Sequence, residues 1–499
     1  MEDVLVDKGA QSNEVRKDNR SVNQNHRQLN VGLLGLGLAT YWSQFEGLQN
    51  RLEGYLAEVE RRIEGKQRRI VNYGLVDSPQ SAVEIGHMCR KDDLDVLLVY
   101  VTTYALSSTL LPLLRLAKIP VLLLNLQPEP AIKYGVVNAM LSRTDMTSEW
   151  LAFCNSCSVP EISNVLQRLG MPFQVVTGVL NEDQECWSKI EDWLQAADVL
   201  KVLAHSRLGL MGSYYSGMLD IATDLTQLCG TFGLQIEHLE VDELSSLRND
   251  VSTSEVQDKR NAFNEFFEIE SDCSEDELIG AARTAVALDR FVSYHDLDLM
   301  AYYHKGLGIQ ANEETMSSII LGTSMLTGRN IPVAGEYEIK NAVAMKILDT
   351  LGAGGSFSEF YVIDFAKDTI LLGHDGPGHI GIAQGKIKVR PLQVYHGKVG
   401  KGLSVEMSVR HGPVTLLSVA EDGVHGFKFV VAEGESVSGE ILEIGNTNSR
   451  YRFSLGARAF VDNWSAQGPA HHCAVGVGHV AAKLRWLANL LQIPIVQVC

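Results

Sequence analysis

From residue 29 onward the chain alternates apolar runs with stretches of helical period. Apolar-rich segments at 29–36, 70–76, 96–100 and 120–125 predict buried strands, and the intervening 41–65, 78–91 and 107–116 predict helices. In the first of these helices Phe45, Leu48, Leu52, Tyr55, Leu56 and Val59 recur near helical spacing. Strand then helix, repeated with unbroken Val/Leu runs, is the pattern of a parallel sheet covered on both faces. A second unit of the same kind is expected after a helix at 186–197, with strands at 199–204 and 234–239 around a helix at 218–232. The stretch 245–274 is helical and highly charged, which predicts a solvated arm, and 278–288 continues in helical period.

Past residue 355 the texture changes. Short segments at 386–390, 403–409, 414–420 and 427–431 alternate with period two between turns such as Glu421-Asp422-Gly423 and His411-Gly412-Pro413. This predicts an antiparallel barrel or sandwich, closed by a helix at 479–491 and a last strand at 494–498. The expected architecture is α/β: a disordered polar tail (1–28), an N-terminal doubly wound parallel-sheet domain (29–190), a central one (191–355) and a C-terminal antiparallel β-barrel domain (356–499).

Composition narrows the function classes. The 499 residues carry 43 Lys plus Arg against 61 Asp plus Glu, a formal charge of −18, with 45% hydrophobic residues. A chain this long and apolar builds two or three cores. Its acidic surface repels phosphate backbones and anionic lipid, so neither nucleic acid nor membrane is an expected partner. The polar N-terminus lacks the apolar run of a signal peptide, and the longest apolar runs are far short of a membrane span, so a cytoplasmic protein is expected. Eight scattered cysteines do not make a disulfide scaffold. Cys154 and Cys157 have CxxC spacing but no second pair to complete a four-cysteine metal site, so they read as two ordinary thiols.

Two places concentrate candidate chemistry. Gly35-Leu36-Gly37-Leu38-Ala39-Thr40 follows a strand and opens a helix, as a dinucleotide-binding turn does, but Thr40 stands where a third glycine belongs and no acidic residue ends a strand about 20 residues on. The alternative is a tight turn lining a cleft at the end of the sheet. The second place begins at Gly335-Glu336-Tyr337-Glu338, just before a helix at 339–351. It continues with Gly354-Gly355-Ser356-Phe357-Ser358-Glu359, opening a strand that ends at Phe365, and with Gly373-His374-Asp375-Gly376-Pro377-Gly378-His379. Gly468-Pro469-Ala470-His471-His472-Cys473 supplies two more histidines. Two carboxylates and two imidazoles gathered from such loops suit a divalent ion such as Mn²⁺, with positions left open for substrate oxygens.

In order and spacing, these segments resemble the metal-site segments of the L-arabinose isomerase family. The intervals are 359 − 336 = 23, 374 − 359 = 15 and 472 − 374 = 98. The resemblance extends weakly back to about Leu29 and is clear from Gly335. It implies a Mn²⁺-dependent (or other divalent metal-dependent) aldose–ketose isomerase and a homo-oligomer, tetramer or hexamer. Glu336, Glu359, His374 and His472 would be the metal ligands, and Glu336 and Glu359 would move protons through a cis-enediol of an open-chain sugar. His471 stands beside them as a substrate contact.

The family's sugar-recognition segments are not kept. Gly35-Leu36-Gly37-Leu38-Ala39-Thr40-Tyr41, Asn125-Leu126-Gln127 and Tyr303-His304-Lys305-Gly306-Leu307 replace them, leaving Tyr41, Asn125 and Gln127 as the expected sugar contacts. A divergent relative acting on another pentose, hexose or modified sugar is therefore expected. The alternatives are an NAD-dependent dehydrogenase using the Gly35 turn and a catalytically silent sugar-binding relative.

Overall fold

The computed structural model describes residues 28–499 except 66–67, 307, 393, 396–397, 400 and 425. The expected N-terminal tail lies outside the described residues apart from Gln28. The chain divides into two compact units, Met1–Lys201 and Val202–Cys499.

In the first unit, β1 (Leu29–Leu36), β2 (Arg68–Val76), β3 (Val96–Val101), β4 (Val121–Gln127) and β5 (Phe173–Val179) form a parallel sheet in the order β2-β1-β3-β4-β5. All six residues of β3 are buried, as the unbroken apolar runs require of a sheet covered on both faces. The strand order reverses at β1, which puts a topological switch point at the C-terminal ends of β1 and β3. The first helix is Leu48–Ile63, not 41–65. Its start is set by Gly47, whose left-handed backbone (φ 78°) ends the preceding turns, and it buries Leu48, Leu52, Leu56, Val59 and Ile63. Pro79–Lys91 begins at a Ser78–Ser81 capping box.

The residues expected as a strand at 199–204 instead complete the helix Gln184–Ala204. Buried Cys186, Ile190, Trp193, Ala197 and Lys201 keep the helical period through that stretch, and the strand follows it as β6 (Arg207–Gly212). With β7 (Gln235–Leu239), β9 (Leu299–Tyr303) and β10 (Val333–Ala334) it makes a second parallel sheet, ordered β10-β9-β6-β7. The helix expected at 218–232 is a short turn of helix, Leu219–Ile221, followed by Leu225–Phe232, with Asp224 capping the latter. The expected charged arm is not free in solvent. It splits into Val241–Asn249, Thr253–Phe266 and β8 (Phe267–Ile269), and its Val256 and Phe263 join a large apolar core.

The C-terminal strands are β11 (Ser356–Asp364), β12 (Thr369–His374), β13 (Ile387–Pro391), β14 (Val394–Tyr395), β15 (Lys398–Val399), β16 (Leu403–Glu406), β17 (Gly412–Asp422), β18 (Gly426–Val437), β19 (Thr447–Phe453), β20 (His472–Val477) and β21 (Ile495–Gln497). The expected antiparallel barrel is corrected in two respects. Strands run β17-β20-β11-β12-β19-β18, and β18 pairs back onto β17, giving a ring-like rather than clearly barrel arrangement. It is mixed, because β21 joins β18 in parallel. Strands β13 and β16 leave the ring altogether, β13 pairing in parallel with β8. Between the parallel sheet and the ring runs the helix Ile339–Thr350, touching β9, β17 and β20. It is buried from Ile339 to Asp349, as a helix enclosed by two sheets must be.

Candidate metal centre

Three adjacent ring strands bring the C-terminal donors together. Glu359 on β11 stands opposite His472 on β20, and opposite Gly373, the residue before His374, on β12. Glycine at 373 is required, because a side chain there would strike the Thr447 carbonyl of β19. Phe357 lies under both imidazoles, with ring centroids 4.3 Å from His374 and 4.4 Å from His472.

Glu336 arrives from another direction. Beyond β10 the chain turns through Gly335 and then through Glu336 and Tyr337, both left-handed (φ 55° and 63°), before the buried helix begins. Non-glycine residues hold such backbone only where the surroundings enforce it. Here the Tyr337 amide donates to the Tyr302 carbonyl of β9 and the Tyr337 ring packs edge-on against Tyr214, with centroids 4.9 Å apart. The turn delivers the Glu336 carboxylate to within 3.4 Å of His472 Nε2, 3.8 Å of His471 Nε2 and 4.0 Å of His374 Nε2.

Two triads of donor atoms result, Glu336–His471–His472 and Glu359–His374–His472, each lying within 4.8 Å and each able to hold a metal ion. Their polar atoms fit that role. Glu336 Oε2 and both ring nitrogens of His472 are buried without a hydrogen-bond partner, the 3.4 Å approach between them lacking hydrogen-bond geometry. Burial of such atoms costs free energy unless something pairs with them, and carboxylate oxygen with imidazole nitrogen is the donor set of divalent transition metals. Desolvation, reinforced by the neighbouring His374 and His471 imidazoles, drives the His472 pKa well below its ordinary value, so it is neutral and ready to donate a lone pair.

Two residues that motif spacing left without a role complete the surroundings. Asp220 accepts from the His471 amide (2.9 Å) and lies 2.7 Å from its Nδ1. Partial burial works against the His471 cation, but Glu336 and Asp220 outweigh it and push the pKa up to about 9. Nothing in the sequence signals Asp220, which is 251 positions from His471. Glu338, two residues beyond Glu336, is fully buried, and desolvation raises its carboxyl to about 8 despite Lys340 nearby. Its Oε2 stands 3.5 Å from His472 Nδ1 without forming a hydrogen bond. Lys340 is anchored by the Asp220 and Ala222 carbonyls.

The remaining candidates sit elsewhere. His379 pairs with buried Asp349 (3.2 Å) and joins neither triad. Tyr41, Asn125 and Gln127 belong to the N-terminal unit. Asn125 donates to Thr177 and accepts from Ser156, Gln127 donates to the Glu129 carbonyl, and Tyr41 packs edge-on against Phe45. The Gly35–Thr40 turn is crowded: a side chain at Gly37 would meet the Trp42 ring at 2.7 Å, and Trp42 is fixed by Asp77.

Residues 354–494 match the family model of the L-arabinose isomerase C-terminal domain. That span contains β11, β12 and β20 but not Glu336. No curated protein matches the chain. Among solved structures, an ABC transporter solute-binding protein from Burkholderia multivorans, with an unknown ligand assigned as alpha-D-erythrofuranose, is 12% identical. The match covers 62% of this chain and 97% of that one, with a TM-score of 0.16. A periplasmic solute-binding protein from Actinobacillus succinogenes 130z with bound D-allose is 11% identical over 65% of this chain and 90% of that one, with a TM-score of 0.17. Scores this low do not amount to a shared fold. Among the described residues, no helix is long and apolar enough to cross a membrane.

Proposed function

We propose that the protein is a divalent-metal-dependent aldose–ketose isomerase acting on an open-chain sugar. The observation that carries this reading is the pair of triads, Glu336–His471–His472 and Glu359–His374–His472, that share His472, with Glu336 Oε2 and both His472 nitrogens buried without a partner and with Glu359, His374 and His472 lying in the span that matches the L-arabinose isomerase C-terminal domain. Glu336, Glu359, His374 and His472 would hold the ion, Mn²⁺ being the first choice for a mixed carboxylate and imidazole set. When bound, a divalent ion supplies Lewis-acid stabilisation of the negative charge that develops on the sugar's carbonyl and hydroxyl oxygens.

The chain's own groups move the protons. One of Glu336 and Glu359 takes the C2 proton and returns it at C1, forming and then consuming a cis-enediol, while the other shifts the proton between the neighbouring oxygens. His471, partly exposed and cationic at neutral pH beside Asp220, donates a hydrogen bond to a sugar hydroxyl. Phe357 closes the floor beneath the imidazoles and keeps water from that side.

The test is a panel of pentoses and hexoses offered to protein loaded with Mn²⁺, with ketose formation as the readout. Turnover of at least one aldose is expected, and Glu359→Gln should reduce it about 10³-fold, within the usual range for removing an acid–base group. Metal-loaded protein that converts none of the panel overturns the isomerase reading. Saturable NAD binding with hydride transfer would replace it by the dehydrogenase.

A further inference from the structure

The N-terminal unit contains a second piece of chemistry. Between the helices Arg143–Leu151 and Ser158–Arg168 the chain makes successive tight turns. Those turns fold Cys154 and Cys157 onto one another, with their sulfurs 2.8 Å apart. The two thiols are differently placed: Cys154 is buried, whereas Cys157 is exposed at the N-cap of Ser158–Arg168. Ser156, between them, donates to Asn125 near the C-terminal end of β4. Burial raises the Tyr41 phenol above its ordinary range, and the Cys154 and Cys157 sulfurs add to that shift.

We propose that Cys154 and Cys157 form a dithiol site that a low-molecular-weight disulfide oxidises to a local disulfide, with exposed Cys157 as the entry sulfur and buried Cys154 as the resolving one. The Cys157 thiolate attacks one sulfur of RSSR, an S–S bond forms to Cys157, and RS⁻ leaves and takes up a proton. Cys154, giving its proton to solvent, then attacks the Cys157 sulfur and expels the second RS⁻. In sum, two protein thiols lose two electrons and two protons, and RSSR is reduced to two RSH. The closed ring spans four residues already folded into turns, so the surrounding helices need not move. Its redox state would be felt first by Asn125, which Ser156 contacts.

The tryptic peptide 144–168 contains both cysteines and none of the other six. Folded, fully reduced protein is treated with oxidised glutathione, quenched with iodoacetamide and digested. The expected product is this peptide two hydrogens lighter and unalkylated. In Cys154→Ser the same treatment should leave a stable glutathione adduct on Cys157, and in Cys157→Ser the remaining Cys154 should stay open to alkylation once the protein is unfolded. The proposal is overturned if the unsubstituted peptide emerges alkylated at both cysteines, or with glutathione retained on Cys157.

Discussion

At the end of β4, Asn125 donates to Thr177 and accepts from Ser156, and Gln127 donates to a backbone carbonyl, so these two side chains find partners within the chain itself. Where β10 turns toward the strands β20, β11 and β12, Glu336 Oε2 and both His472 nitrogens are buried without partners. Evolution tolerates an unpaired buried polar atom, at a cost of about 1–3 kcal/mol each, where a ligand repays it. The left-handed Glu336 and Tyr337 add strain at the same place. The contrast teaches where chemistry is concentrated. Asn125 and Gln127 have their partners within the chain, whereas Glu336 and His472 present donor atoms that nothing in the chain pairs.

The strongest way to break the contrast is to spoil the register that assembles the donors. Gly373→Val drives a side chain into the Thr447 carbonyl, and a loss of about 3 kcal/mol is expected from such overpacking. The Mn²⁺-induced rise in melting temperature should vanish with it. Urea midpoints and thermal shifts read both, and a variant of native stability that still binds Mn²⁺ would refute the assembly by register.

A sharper comparison uses matched apolar replacements. His472→Leu should stabilise the metal-free protein by about 1–2 kcal/mol, because it deletes two buried unpaired nitrogens, while abolishing the Mn²⁺ shift. Asn125→Leu should destabilise it by a similar amount, because it strips partners from Thr177 and Ser156. Denaturant curves showing the same sign for both substitutions would remove the distinction between the two regions.

How much of this is legible in the sequence depends on distance along the chain. Glu359 and His374 are recognisable because glycines and a strand surround them within a short segment, and ordered spacing ties them to Glu336 and His472. Which strands become neighbours is another matter. Alternation marks 386–390 and 403–409 as strands equally well whether they close a barrel or, as they do, join β8 in a separate sheet. The run 199–204 is apolar enough for a strand, and only the helical period inherited from Trp193 and Ala197 keeps it in a helix. Asp220 has no local mark at all, since its role exists only once β20 returns beside the loop after β6.

The smallest expected effect concerns that same Asp220. It and Glu336 raise His471 to about 9 against partial burial, and His471 in turn holds the Asp220 carboxyl below its ordinary range, more than offsetting burial. The imidazole's folded pKa exceeds its unfolded value of about 6.5, so its stabilising contribution is complete below that pH and disappears as pH rises through about 9. The carboxylate's folded pKa is depressed, so its contribution is present above about pH 4 and is lost on acidification. Both side chains are more than a third solvent-exposed (Asp220 40%, His471 35%), which limits the pair to about 0.5 kcal/mol. Asp220→Asn should therefore flatten the decline in stability of chelator-treated protein between pH 6.5 and 9 while leaving the ring intact. A steeper decline in the variant would mean that His471 is not held as a cation by this carboxylate. The unpartnered donors would then have to be explained without a charged neighbour at the rim of the site.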